Sequence, residues 1–135
     1  MHVVPILFHG FTLKGILFAT VPMIIMSIIF MTLAQINHLV PETDDKFDPR
    51  FFRHQVITAN NVDNGNNILF MITGGLNYQI EHHLFPSVNH WHLQKVAPYV
   101  KEICKKHGVQ YAESPSLWAA LKGHVAHLKK FRNSE

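Results

Sequence analysis

The sequence predicts an all-α integral membrane protein in which one full transmembrane helix is followed by a cytosolic helical cap carrying histidine ligands. Three observations predict it. From Gly15 to Ile36 there is no Asp, Glu, Lys or Arg, and a helix of that length crosses a hydrocarbon core of about 30 Å. Beyond Pro41 the composition switches to mixed charge, and the last third is rich in lysine. Eleven histidines in 135 residues point to metal ligation, since neutral imidazole is the commonest protein metal ligand. The chain divides into a span at 14–36 and a metal-binding and cap region at 37–135.

Residues Met1–Thr12 are apolar but broken by Pro5 and Gly10. They lack the basic lead and small-residue cleavage site of a secretory signal, and read as the end of a truncated span with a turn, His9 being structural or interfacial. Lys14 introduces the long span. A buried helix of a soluble protein is seldom apolar on every face over so many turns, and Pro22 should kink it, as membrane helices tolerate. Gln35, Asn37 and His38 stand at its far end, where the residues alone read as interfacial. Glu42–Arg53 mixes charges with aromatics and reads as a loop along the interface, anchored by Phe47, Arg50, Phe51 and Phe52. Asn64-Gly65 marks a turn.

Ile68–Thr73 is too short to span and reads as a membrane-dipping helix that carries the stretch after it. Beyond Pro86, Asn89 caps a short helix through Val96, and Pro98 suits the first turn of another ending at Gly108. Val109–Tyr111 is extended. Ser114-Pro115 caps a last helix with Leu117, Leu121, Val125 and Leu128 on one face and Lys122, Lys129 and Lys130 off it, a stripe for packing against a parent protein. His107, His124 and His127 are expected in solvent, and His92, like His90, close to the metal ligands. The single cysteine, Cys104, cannot form an internal disulfide and fits a reducing, cytosol-facing environment. The net charge of +3 comes from the tail. Without aromatic interleaving or a basic motif it speaks against nucleic acid and for cytoplasmic placement beside a membrane.

The chemistry is concentrated in Gly74-Gly75-Leu76-Asn77-Tyr78-Gln79-Ile80-Glu81-His82-His83-Leu84-Phe85-Pro86. On a helix, Gln79, His82 and His83 stand at i, i+3 and i+4, within an arc of roughly 100° on one face. Three lone-pair donors are thereby aimed at one point, as a metal requires. Glu81 is off that face, either a partner of the ligands or a surface charge. The glycine pair permits a close approach before the turn, and Pro86 ends the helix. No phosphate loop, dinucleotide fingerprint, CxxC pair or nucleophile triad competes with this stretch.

This stretch resembles the third histidine box of the membrane fatty acid desaturases. It is specifically similar to the front-end group, whose box reads Gln-x-x-His-His where others have His-x-x-His-His. A less specific likeness runs from about Gly15 to Tyr111, so the chain resembles the C-terminal part of such an enzyme. The family's two earlier boxes are absent here, since His2 and His9 are too far apart and His90 and His92 too close together. The resemblance implies a di-iron, oxygen-dependent enzyme of lipid metabolism that introduces a double bond into an unsaturated acyl chain, with dioxygen as co-substrate.

It further implies iron ligands at His82, His83, His38 and Gln79, with no catalytic residue separate from the metal site. Asn37, Asn77, Glu81 and His90 are expected around them, Asn37 and Gln35 as candidates to orient a ligand. Implied partners are an acyl-lipid or acyl-CoA substrate, the membrane and a cytochrome- or ferredoxin-type electron donor. The implied location is the endoplasmic reticulum in a eukaryote or the inner membrane in a bacterium, with box and C-terminus cytosolic. The missing boxes imply that this chain alone is inactive, its di-iron centre completed by histidines elsewhere. A related di-iron hydroxylase or acetylenase, or a truncated membrane protein without activity, are the alternative expectations.

Overall fold

The computed structural model describes residues 3–43 and 47–132. Met1, His2 and the Asp44–Lys46 part of the expected interfacial loop lie outside the described residues. The chain forms two compact units, Met1–Thr32 and Leu33–Glu135.

In the first unit, α1 (Val3–His9) turns at Gly10 into α2 (Leu13–His38). Thr12 Oγ1 donates to the His9 carbonyl at 2.8 Å and accepts from Gly15 N at 3.2 Å. Gly15 is required by this turn, because a Cβ there would overlap the Gly10 carbonyl oxygen. His9 stacks on Phe18, ring centroids 5.6 Å apart. The helix α2 continues through Pro22. It is the one helix among the described residues long and apolar enough to cross a membrane. Most apolar side chains from Ile16 to Met31 are exposed, Ala19 being buried and Ile29 intermediate, which suits a hydrocarbon surround.

In the second unit the last turn of α2 becomes part of a core. Leu33, Ile36 and Val40 are buried. The last carbonyls of a helix lack intrahelical partners, and tertiary bonds supply them here. Asn60 Nδ2 donates to the Ile36 carbonyl at 3.2 Å and Thr43 Oγ1 to that of His38 at 2.7 Å. These bonds explain why the helix runs two residues past the 14–36 expected from hydropathy.

The remaining elements are α3 (Phe51–Ile57), β1 (Asn60–Val62), α4 (Asn67–Thr73), α5 (Gln79–Leu84), a 3-10 turn (His90–His92), α6 (Leu93–Lys106), β2 (Ala112–Ser114) and α7 (Leu117–Arg132). The fold is mostly helical but not purely so. β1 and β2 form a parallel pair in the register Asn60↔Ala112, Asn61↔Glu113, Val62↔Ser114, which corrects the all-α expectation. The strand lies just after the extended stretch expected at Val109–Tyr111.

The helix α5 packs against α3, α6 and β1. Its Ile80 is fully buried in a cluster with Val56, Ala59, Val100 and Cys104. A second cluster joins Phe70, Tyr78, Leu93 and Ala97. Ile80→Ala is therefore expected to destabilise this unit by about 2–5 kcal/mol. Exposed Ile103→Ala should stay within about 0.5 kcal/mol. Denaturant unfolding in detergent, followed by tryptophan emission, checks both.

Three expected boundaries move. The helix at Ile68–Thr73 does not itself carry the box. It begins under an Asn66 cap, whose Oδ1 accepts from Ile68 N and Leu69 N at 3.1 and 3.0 Å. It ends at Gly74 in the left-handed region, followed by Gly75 at φ 84°. A Cβ at Gly75 would also press on His90 Cβ at 3.1 Å and the Phe70 ring at 3.2 Å, so this corner needs glycine. The helix expected to break at Pro98 is continuous from Leu93 to Lys106. Pro98 is exposed, and Leu93, Ala97, Val100 and Cys104 are buried around it, offsetting the lost backbone bond.

Finally, the hydroxyl at the head of α7 that accepts a backbone N–H is that of Ser116, from Ala119 N at 3.1 Å. The helix buries Ala120 and His127 and leaves Val125 and Leu128 about half exposed. His127 is thus a core residue, and His124 places Nδ1 2.8 Å from the Leu39 carbonyl. His127 corrects the expectation of a solvated side chain, His124 stays partly exposed while making this bond, and His107 is exposed as expected.

Candidate metal centre

Gln79 is the first residue of α5, and its amide is the hub of the site. Its Nε2 lies 2.7 Å from His83 Nε2, one turn on, and 3.2 Å from His38 Nε2 at the end of α2. The two imidazole rings are 4.9 Å apart at a 34° tilt. The far nitrogen of each ring is held as well. His38 Nδ1 lies 3.0 Å from the Thr58 carbonyl, just past α3, and His83 Nδ1 lies 2.8 Å from Gln55 Oε1 on α3. Three separate segments are thereby brought to one point.

The protons can be placed from the ends inward. The Thr58 carbonyl can only accept, so His38 Nδ1 carries the hydrogen and its Nε2 presents a lone pair. At the other end, Asn37 Nδ2 donates to the Leu76 carbonyl at 2.8 Å and to Gln79 Oε1 at 3.0 Å. Gln79 therefore turns its oxygen to Asn37 and its N–H pair to the two Nε2 atoms. His83 accepts at Nε2 and donates from Nδ1 to Gln55. Burial, reinforced by the neighbouring His38 and His82, lowers the His83 pKa to about 4, so this ring is neutral at physiological pH. Imidazoles anchored through Nδ1–H with a free Nε2 are the form in which histidine ligates a metal. Asn37 Oδ1 is buried with no hydrogen-bond partner among the described residues, and an atom so left costs about 1–3 kcal/mol. It is the cost of keeping the Asn37 amide in this orientation.

His82 is half-buried, its ring 6.0 Å from that of His83. Among the described residues its side chain makes no hydrogen bond to Gln79 or His38. No three His, Cys, Asp or Glu side chains among the described residues converge to hold a metal by themselves. The cluster is two imidazoles and an amide, with His82 at its margin.

Glu81 is fully buried on the opposite side of α5, which removes the surface-charge alternative. Its carboxylate accepts from Asn61 Nδ2 at 2.7 Å and from Tyr111 Oη at 2.9 Å. Asn61 Oδ1 in turn accepts from Ile80 N at 2.9 Å. Burial pushes the Glu81 pKa above the usual carboxylate range against these two bonds, and burial beside Glu81 raises that of Tyr111. This network ties the box helix to β1 and to the segment before β2. It positions the box without touching the imidazoles.

The other expected neighbours divide. Asn37 touches Gln79 directly. Asn77 is buried but faces β1, donating to the Val62 carbonyl at 3.3 Å. His90 is exposed and packs on Phe70 and Trp91, away from the cluster. His92 is exposed as well. Gln35 makes no side-chain bond to the cluster among the described residues. Sequence reasoning missed Gln55, the Thr58 carbonyl, Asn61 and Tyr111. The first two hold the rings and the last two hold the box helix, and no spacing in the sequence marks any of them.

Comparison with known proteins covers most of the chain. The family model described as fatty acid desaturase matches residues 1–115. An acyl-lipid (8-3)-desaturase of Physcomitrium patens is 52% identical over 59 residues, 44% of this chain and 12% of that protein. An sn-1 linoleoyl-lipid 6-desaturase of Arthrospira platensis is 42% identical over 76 residues, 56% of this chain and 21% of that protein. Fatty acid desaturase 3 of Bos taurus is 37% identical over 106 residues, 77% of this chain and 23% of that protein. The chain thus corresponds to less than a quarter of each of these relatives. No solved structure matches it.

Proposed function

Because this chain belongs to the fatty acid desaturase family, we propose that it supplies part of an iron centre, with His38 and His83 as ligands through Nε2, in an enzyme that desaturates acyl lipids. One observation carries the reading: two imidazoles from distant segments bring their Nε2 atoms to one point, each fixed from behind by an acceptor at Nδ1. This donor set fits iron, for which imidazole is a suitable ligand. His82 is the third candidate, from the margin of the cluster. The remaining ligands of a di-iron site come from histidines outside this chain. Bound iron would supply, with dioxygen, the oxidising power that breaking an unactivated C–H bond demands and side chains lack.

The chain's own residues hold and orient. The Thr58 carbonyl and Gln55 set both tautomers, and the Glu81–Asn61–Tyr111 network fixes the box helix. The apolar α2 anchors the site at a membrane, where an acyl chain is available. Relatives named as acyl-lipid desaturases support a lipid substrate and a front-end type of reaction. Electrons come from a cytochrome- or ferredoxin-type donor. Where this chain is joined to the segment bearing the other boxes and produced in a host fed a polyunsaturated acyl precursor, the expected product has one more double bond. Hydroxylated product, or none at normal protein level, overturns the reading.

A further inference from the structure

We infer that Gln79 turns its N–H pair, and not its carbonyl oxygen, toward the histidine centre, and that Asn37 is the positioning residue that fixes this polarity. The inference rests on the metal reading above and goes beyond it, because it removes Gln79 from the ligands. The order of donors and acceptors leaves no freedom. Two main-chain carbonyls, of Leu76 and Thr58, terminate one chain of hydrogen bonds: Leu76 carbonyl, Asn37 Nδ2, Gln79 Oε1, Gln79 Nε2, His38 Nε2, His38 Nδ1, Thr58 carbonyl. Neither carbonyl can donate, so every amide and ring between them has one consistent orientation.

If the Gln79 amide were reversed, its N–H pair would meet the N–H pair of Asn37. Reversing Asn37 to compensate would set its oxygen against the Leu76 carbonyl. In this orientation Asn37 serves both acceptors, the Leu76 carbonyl and Gln79 Oε1, through Nδ2, and its own Oδ1 is buried without a hydrogen-bond partner among the described residues. An amide nitrogen has no lone pair to give a cation. Gln79 therefore serves as a hydrogen-bond donor to a water, hydroxide or other oxygen-bearing group at the centre, beside the two ligating imidazoles. With no metal it donates to the ring nitrogens themselves and keeps both rings in the tautomer that ligation needs.

The test is nuclear magnetic resonance of the chain in detergent micelles, without metal, labelled with nitrogen-15 in histidine, glutamine and asparagine. The expected spectrum shows His38 and His83 both protonated at Nδ1, with a coupling from the Gln79 side-chain nitrogen to a ring Nε2. Its side-chain protons should exchange with solvent at least about tenfold more slowly than those of an exposed amide, because they are bonded and shielded. In Asn37→Leu the coupling and the slow exchange should both be lost while circular dichroism stays that of the wild type. Asn37→Ala serves as the second variant if Asn37→Leu does not fold. Either ring protonated at Nε2 in the wild type overturns the polarity, and a coupling that survives in a folded Asn37 variant overturns the role of Asn37. Iron content of a chain bearing all the boxes separates this from the reading beneath it. Expected tautomers with iron unchanged in His83→Ala overturn the metal reading alone, whereas reversed tautomers with iron lost in His83→Ala overturn the polarity alone.

Discussion

Replacing His83 with alanine is expected to abolish desaturation, by more than about 100-fold, in a protein that joins this chain to the other boxes. The deletion removes one of the two convergent Nε2 donors and leaves one Gln79 N–H and the Gln55 oxygen without a partner, the other Gln79 N–H still facing His38. No neighbouring group can replace it, because α5 is held by Ile80 in the core and by Asn61 and Tyr111 on Glu81. Gln55→Leu removes only the group behind the ring, and should cost about 10–100-fold in metal affinity, as such partners usually do. His107→Ala, at an exposed helix end, should change stability by no more than about 0.5 kcal/mol and leave activity near that of the wild type. Product formation from a fed acyl precursor, normalised to protein level by blot, distinguishes the three. Activity retained in His83→Ala would exclude it as a ligand.

The second large effect concerns Gln79→His, which creates the three-histidine form of the box. Counting ligands predicts tolerance. The geometry predicts a loss of more than about tenfold, or at least about 1.4 kcal/mol of transition-state stabilisation. Gln79 accepts from Asn37 through one atom and donates to two rings through another, all in a buried position. An imidazole there has one N–H and one lone pair, so it can satisfy Asn37 and a single ring at most, and its nitrogen adds a ligand where a donor stood. The same product assay reads it. Activity within about threefold of wild type, less than 1 kcal/mol by the same relation, would show that position 79 acts as a ligand after all.

The parts of the fold that could be read from the sequence are those whose cause is local. An uncharged run long enough to span, the glycine pair before the box, and the i, i+4 spacing of Gln79 and His83 each follow from a few adjacent residues. The parts that escaped depend on distant partners. β1 contains Asn60 and Asn61, poor strand formers that are buried here because their amides bond to Ile36, Ser114, Glu81 and Tyr111. Its partner β2 lies some fifty residues away in the chain. Glu81 could not be recognised as buried without Tyr111. His127 could not be distinguished from its solvated neighbours on α7, since the lysines and apolar residues of that helix do not mark which face is covered. Likewise Gln55 follows His54 with nothing to show that the glutamine, and not the histidine, meets the box.

The central claim is that His38 and His83, whose Nε2 atoms meet at the Gln79 amide, would both serve as ligands of the metal centre. Its most direct test is the iron content of purified protein carrying all the boxes, measured with the X-ray absorption fine structure at the iron edge. His38→Ala and His83→Ala should each lower the bound iron and reduce the imidazole scattering around what remains, with His107→Ala unchanged. Full iron and an unaltered absorption spectrum in both variants would contradict it.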